Sequence, residues 1–265
     1  MRRILTFVLV LTHTFITAQG NWKKSFEECN VIGSTTIFDY KQQKWMTNDP
    51  EDALIMTLPA STFKIVNSLI ALETGAVKDE NEVIPWIDDY DTLRYGHRPN
   101  IYHSMSMKKA FALSAGWAYV EIAKRIGKHQ YHEILTDIGY GNVDLSIQDA
   151  DFWNFGSFGV SPVNQIETLV SIYEKTLPFS ERSYKILKDL MVAESTDQYV
   201  IRAKTGWTRA GGKDTGWWVG YVERDDNVFF FATRLIKDRK EDNPNFGNCR
   251  KDITKDILKD LGAID

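Results

Sequence analysis

Apolar residues at Ile65, Val66, Leu69, Ile70 and Leu72 recur with the period of an α-helix, between Pro59 on one side and Gly75 on the other. Proline at the start and glycine at the end predict a helix of roughly four turns, apolar on most sides and therefore buried. Helical spacing returns over Lys108–Ile126, through Phe111, Ala115, Ala118, Tyr119 and Ile122, with Gly127 as the stop. Shorter helices are expected over Tyr131–Ile138, Val163–Tyr173 and Ser180–Ala193, with Ser180 as a cap, and a last one over Lys251–Leu261 with Ile253, Ile257 and Leu261 on one face. Between these, residues 78–107 and the polar stretch from Tyr140 to Asp151 carry little periodicity and read as irregular surface structure.

The two ends of the chain change to a strand pattern. Ser34–Tyr40 is rich in β-branched and aromatic residues, and Lys44–Thr47 is its hairpin partner across Lys41-Gln42-Gln43. Near the other end, Tyr199–Thr205, Gly216–Glu223 and Val228–Arg234 predict an antiparallel meander, with a Gly-rich turn over Gly206–Thr215 and a tight turn at Asp225-Asp226-Asn227. Strands at both ends and helices between them predict an α+β fold. An antiparallel sheet from residues 31–47 and 199–265 is flanked by helices, with a mainly helical region inserted at about 61–193. A cleft is expected where the helical region meets the sheet.

Met1-Arg2-Arg3, the apolar run Ile4–Leu11 and the small residues Ile16-Thr17-Ala18 read as a cleavable export signal over residues 1–18. The apolar part is short for a membrane span. Residues 19–265 are then expected to form one exported domain, free of the membrane. The 265 residues are 43% hydrophobic and 26% charged, ordinary for a globular protein, and the net charge of −4 gives no basic footprint for nucleic acid. Two cysteines, Cys29 and Cys249, either pair in an oxidising compartment, tying an N-terminal strand to the last helix, or stay as separate buried thiols. The five histidines form no ligand pattern, and no metal site is expected; His129 and His132 read as a solvated helix face.

The candidate chemistry starts at Ser61 and Lys64. Placed three apart on a helix, they face the same way. Ser61 falls in the first turn, where free N–H groups and the helix dipole favour negative charge. Apolar neighbours lower the pKa of Lys64, so that it serves as a base or adds carbon dioxide to become a carbamate. Ser-x-x-Lys alone is weak, since a capping serine with a solvated lysine has the same letters. Further elements add to it. Ser114 sits mid-helix without a capping reason, Lys204-Thr205-Gly206 puts a cation and a hydroxyl at a strand end, Trp153 offers an indole N–H, and Arg250 opens the last helix.

Pro-Ala-Ser-Thr-Phe-Lys at 59–64, the serine motif at Ser114, Tyr-Gly-Asn at 140–142, Phe-Trp at 152–153, Lys-Thr-Gly at 204–206, Gly-Trp-Trp-Val-Gly at 216–220 and Arg250 together resemble the class D (OXA-type) serine β-lactamases, within the penicillin-binding-protein-like transpeptidase superfamily. The resemblance runs over essentially the whole chain after the leader. It implies periplasmic hydrolysis of small-molecule β-lactams by a monomer or homodimer with no cofactor beyond carbon dioxide, held as N6-carboxylated Lys64. By the same resemblance Ser61 is the nucleophile, N-carboxylated Lys64 the general base for acylation and deacylation, and Ser114 and Lys204 pass and support the proton to the leaving nitrogen. Thr205 and Arg250 bind the substrate carboxylate, the Trp207 N–H helps hold the oxyanion, and Trp153 steadies the carbamate. A receptor-type sensor domain that stays acylated, a low-molecular-weight penicillin-binding protein and an inactive binding module share parts of this pattern. Two departures stand out. Gly116 replaces the valine that in the family shields the modified lysine, and Trp86-Ile87-Asp88-Asp89 stands where Trp-Asp-Gly is usual.

Overall fold

In this computed structural model, residues 15–17, 21–87, 91 and 95–265 are described. The leader assigned from the sequence therefore falls largely outside the described residues. Phe15–Thr17 forms a short strand (β1), followed by a helix at Asn21–Glu28 (α1) and the hairpin Ile32–Asp39 (β2) and Lys44–Thr47 (β3). A 3-10 turn at Ala60–Phe63 leads directly into the helix Lys64–Glu73 (α2). A two-residue ribbon, Val83–Ile84 (β4) with Met105–Ser106 (β5), interrupts the otherwise irregular stretch before the helix Met107–Leu113 (α3). Helices Gly116–Ile126 (α4), Lys128–Asp137 (α5), Pro162–Glu174 (α6) and Glu181–Leu190 (α7) complete the helical region. The chain then returns through Val192–Ser195 (β6), Tyr199–Ala210 (β7), Lys213–Arg224 (β8) and Val228–Asp238 (β9) to the helix Phe246–Asp260 (α8).

Among the described residues the main sheet runs β1-β3-β2-β9-β8-β7-β6, antiparallel except where β1 lies parallel to β3. The predicted α+β architecture is the one observed. Side chains alternate across the sheet with period two, and the pair Trp217-Trp218 shows it. Trp217 joins the core under the helical region, while Trp218 joins a second core beneath α1 and α8. Helix α2 is buried from Lys64 to Leu72, as its nearly all-round apolar pattern predicts.

Several boundaries differ from expectation, each for a local reason. The single helix expected over Lys108–Ile126 breaks in two: Ser114 is the C-cap of α3, not a mid-helix residue, and takes a left-handed conformation (φ 54°, ψ 42°). The turn expected over Gly206–Thr215 shrinks to Gly211-Gly212, because cross-strand pairing carries β7 and β8 on through Thr208↔Thr215 to Ala210↔Lys213. The helix expected to reach Ala193 stops at Leu190, and Val192–Ser195 pairs with β7 instead. The last helix begins at Phe246, so Arg250 lies inside it and does not open it. Ser180 caps α7 as expected, accepting from the Ser183 amide. Cys29 and Cys249 are joined by a disulfide (S–S 2.10 Å), which fastens the end of α1, not a strand, to α8.

Candidate active site

The site forms where the helical region meets β7. The turn bearing Ser61 is held on three sides. Ala60, left-handed at φ 51° and fully buried, donates its amide to Trp153 O at 2.9 Å. Thr62 Oγ1 donates to Pro59 O at 2.7 Å and accepts from Gln165 of α6 at 2.9 Å. On the third side β7 passes so close that a Cβ at position 206 would stand 2.8 Å from Pro59 O and 3.3 Å from Thr62 N. Gly206 is therefore a packing requirement: any larger residue pushes the strand off the Ser61 turn.

Lys64 Nζ donates to Ser61 Oγ at 3.0 Å and lies 4.9 Å from the centre of the Tyr119 ring. Its side chain is fully buried. Burial lowers its pKa to about 8, against the raising effect of the Asp151 carboxylate and alongside the lowering effect of Arg98. Ser114 Oγ meets a second lysine: Lys204 Nζ donates to it at 3.0 Å and to Thr205 O at 3.2 Å. Burial pushes Lys204 well below the ordinary lysine value, helped by the charges of Lys64 and then Arg250. Two hydroxyls, each paired with an amine whose charged form is disfavoured, thus come from three separate points of the chain.

Trp153 is fully buried, and its ring stacks on Phe63, the residue before Lys64, at 5.1 Å. Its Nε1 has no hydrogen-bond partner among the described residues. A buried donor left alone costs about 1–3 kcal/mol, so this N–H has room for an acceptor. On the sheet side, Trp207 and Arg250 pack together, with the guanidinium 5.8 Å from the indole centre. Arg250 donates to Gly206 O, and burial lowers its pKa to about 10, which leaves it cationic at neutral pH. The Trp207 indole is fixed from behind by Asp214 Oδ1, which accepts from it at 3.1 Å, and Asp214 itself pairs with Lys237 at 3.0 Å.

The structure brings together Ser61 with Lys64, Ser114 with Lys204 and Thr205, and Trp207 with Arg250, all of them singled out from the sequence. Sequence reasoning missed Asp151, a carboxylate 1% exposed in the field of Lys64, and Tyr119 beneath it. It also passed over Asp214. The aspartate adjoining Phe152-Trp153 was the one available signal for the first; nothing local marks the other two.

Residues 33–259 match the penicillin binding protein transpeptidase domain family. The chain is 37% identical to the beta-lactamase OXA-48 of Klebsiella pneumoniae, over 90% of this chain and 87% of that one. It is 32% identical to the beta-lactamase OXA-10 of Pseudomonas aeruginosa, over 94% of this chain and 91% of that one. The crystal structure of a class D beta-lactamase from Sebaldella termitidis superposes with a TM-score of 0.88 at 39% identity, covering 96% of this chain and all of that one. A serine-hydrolase fold of the penicillin-binding transpeptidase kind is thus joined to relatives of a single class. The chain belongs to the class D (OXA-type) serine β-lactamases.

Proposed function

We propose that this enzyme opens β-lactams in two steps through an ester on Ser61, with Lys64 as the base in both. The observation that carries the reading is the pair of 3.0 Å contacts, Lys64 Nζ to Ser61 Oγ and Lys204 Nζ to Ser114 Oγ. Each puts a proton acceptor within reach of a hydroxyl, which is the geometry nucleophilic catalysis needs. Ser61 attacks the lactam carbonyl as its proton leaves towards Lys64. The backbone N–H groups of Ser61 and Trp207, on the turn and the strand that Gly206 presses together, receive the oxyanion. Ser114 passes a proton to the ring nitrogen as the C–N bond breaks, and Lys204 supports it. Thr205 and Arg250 hold the substrate carboxylate.

The residues around Lys64 fit an N6-carbamate formed with carbon dioxide. The amine is buried and weakly basic, and the unpartnered Trp153 N–H is a donor for a carbamate oxygen. Such a group supplies a carboxylate base that activates the water of deacylation. Only the neutral amine takes up carbon dioxide, and the fraction of Lys64 that is neutral rises with pH through about 8. After acid treatment and return to buffer, recovery at fixed dissolved carbon dioxide should therefore accelerate as pH rises through that value, with bicarbonate raising final activity. Recovery independent of both pH and bicarbonate would overturn the carbamate.

The charged and apolar segments of residues 1–11 support export of the enzyme to the periplasm through a cleavable leader.

A further inference from the structure

Ser114 holds its position at some cost. It sits at the corner between α3 and α4 with φ 54°, a left-handed conformation that disfavours residues other than glycine. The turn itself supplies two backbone bonds, Ser114 N to Phe111 O at 3.1 Å and Ala115 N to Ala110 O at 2.9 Å. Gly116, the first residue of α4, contributes no side chain to lock it. The lock comes from outside, from the segment 96–102. Arg98 Nη2 donates to Leu113 O at 2.8 Å and Nη1 to Ser114 O at 3.4 Å, so one guanidinium spans the last carbonyls of α3. A cation there also opposes the negative end of the helix dipole.

Arg98 is itself fastened. Its amide donates to Tyr102 Oη at 2.7 Å, and that hydroxyl donates to Gly96 O at 3.1 Å. Tyr102 stacks on Trp86 at 5.3 Å, Trp86 meets Trp117 edge-on at 5.0 Å, and Trp117 Nε1 donates to Ile101 O at 2.7 Å. Since Trp117 belongs to α4, the segment grips both sides of the corner: α3 through Arg98, and α4 through Ile101. We propose that Arg98 is a positioning residue for Ser114, holding the left-handed corner so that the Ser114 hydroxyl stays on Lys204 and in line with the leaving nitrogen. The proposal rests on Ser114 acting in acylation, as read above.

The test is a double-mutant cycle on Arg98→Met and Ser114→Ala, read by pre-steady-state acylation, by hydrolysis of preformed acyl-enzyme, and by thermal melting. Arg98→Met should slow acylation about tenfold, as expected for loss of a charge-assisted bond. With both steps measured at saturating bicarbonate, which offsets the effect of the lost Arg98 charge on Lys64, deacylation should stay at the wild-type rate. Because Arg98 is exposed, the melting temperature should stay within about 2 °C. Arg98→Lys, with a point charge that reaches one carbonyl but not two, should recover part of the loss. In the Ser114→Ala background Arg98→Met should have no further effect. Wild-type acylation in Arg98→Met would overturn the proposal, as would a joint fall of both steps and of the melting temperature. If Ser114→Ala itself acylates normally, the reading of Ser114 fails and takes this proposal with it. If Ser114→Ala is slow while Arg98→Met is not, only the role of Arg98 fails.

Discussion

Replacing Lys64 by alanine should cut acylation and deacylation together, each by about 10²–10⁴-fold, the range general-base catalysis supplies. Lys64 Nζ lies 3.0 Å from Ser61 Oγ, and Lys204 faces the other hydroxyl, so among the described residues no second amine is placed to take over the proposed role. Since the side chain is fully buried, alanine also leaves a cavity, and Lys64→Met separates the two effects by filling the space without the amine. Both variants should lose activity to a similar extent, while Lys64→Met melts at or above the wild-type temperature because a desolvated amine is gone. Stopped-flow acylation and intact-mass deacylation give the two rates. If either variant kept near wild-type turnover, the amine would have no part in the chemistry.

Trp153→Phe should uncouple the steps. It keeps an aromatic ring against Phe63 and removes the unpartnered N–H, together with part of the buried indole surface. A hydrogen bond to a charged acceptor is worth about 1.5–3 kcal/mol, which corresponds to roughly a 10–100-fold loss in the step that depends on the carbamate. Deacylation should therefore slow while an ester accumulates on Ser61, and high bicarbonate should restore part of the rate. The variant should melt below the wild type, since the smaller ring leaves a cavity at a buried site, and the fall of deacylation relative to acylation is what reports on the N–H. Unchanged deacylation, with no response to bicarbonate, would leave the indole as packing only.

Much of this site was legible because its chemistry is written in short runs. Ser61 and Lys64 lie within one turn, and Lys204, Thr205 and Gly206 are consecutive. The α+β architecture followed equally from strand periodicity at the two ends and helical periodicity between. What escaped depends on contacts distant in sequence. Helical spacing through Phe111, Ala115 and Tyr119 runs unbroken across Ser114, yet the chain turns a corner there, bonded on its two sides to Arg98 and Ile101 of an aperiodic segment. Glycines that read as a long turn after Thr205 conceal a strand. Gly206 is there for its closeness to Pro59 and not for a bend, and only the fold reveals that. Asp151 and Asp214 are ordinary loop and strand aspartates by their neighbours, and acquire meaning from burial beside Lys64 and behind Trp207.

The account turns on whether the ester on Ser61 is hydrolysed. Mixing the enzyme with a molar excess of chromogenic cephalosporin, and following product and intact mass together, tests this most directly. The account predicts many product molecules per enzyme and a Ser61 adduct that vanishes once substrate is exhausted. One product molecule per enzyme, with an adduct persisting for hours, would contradict it.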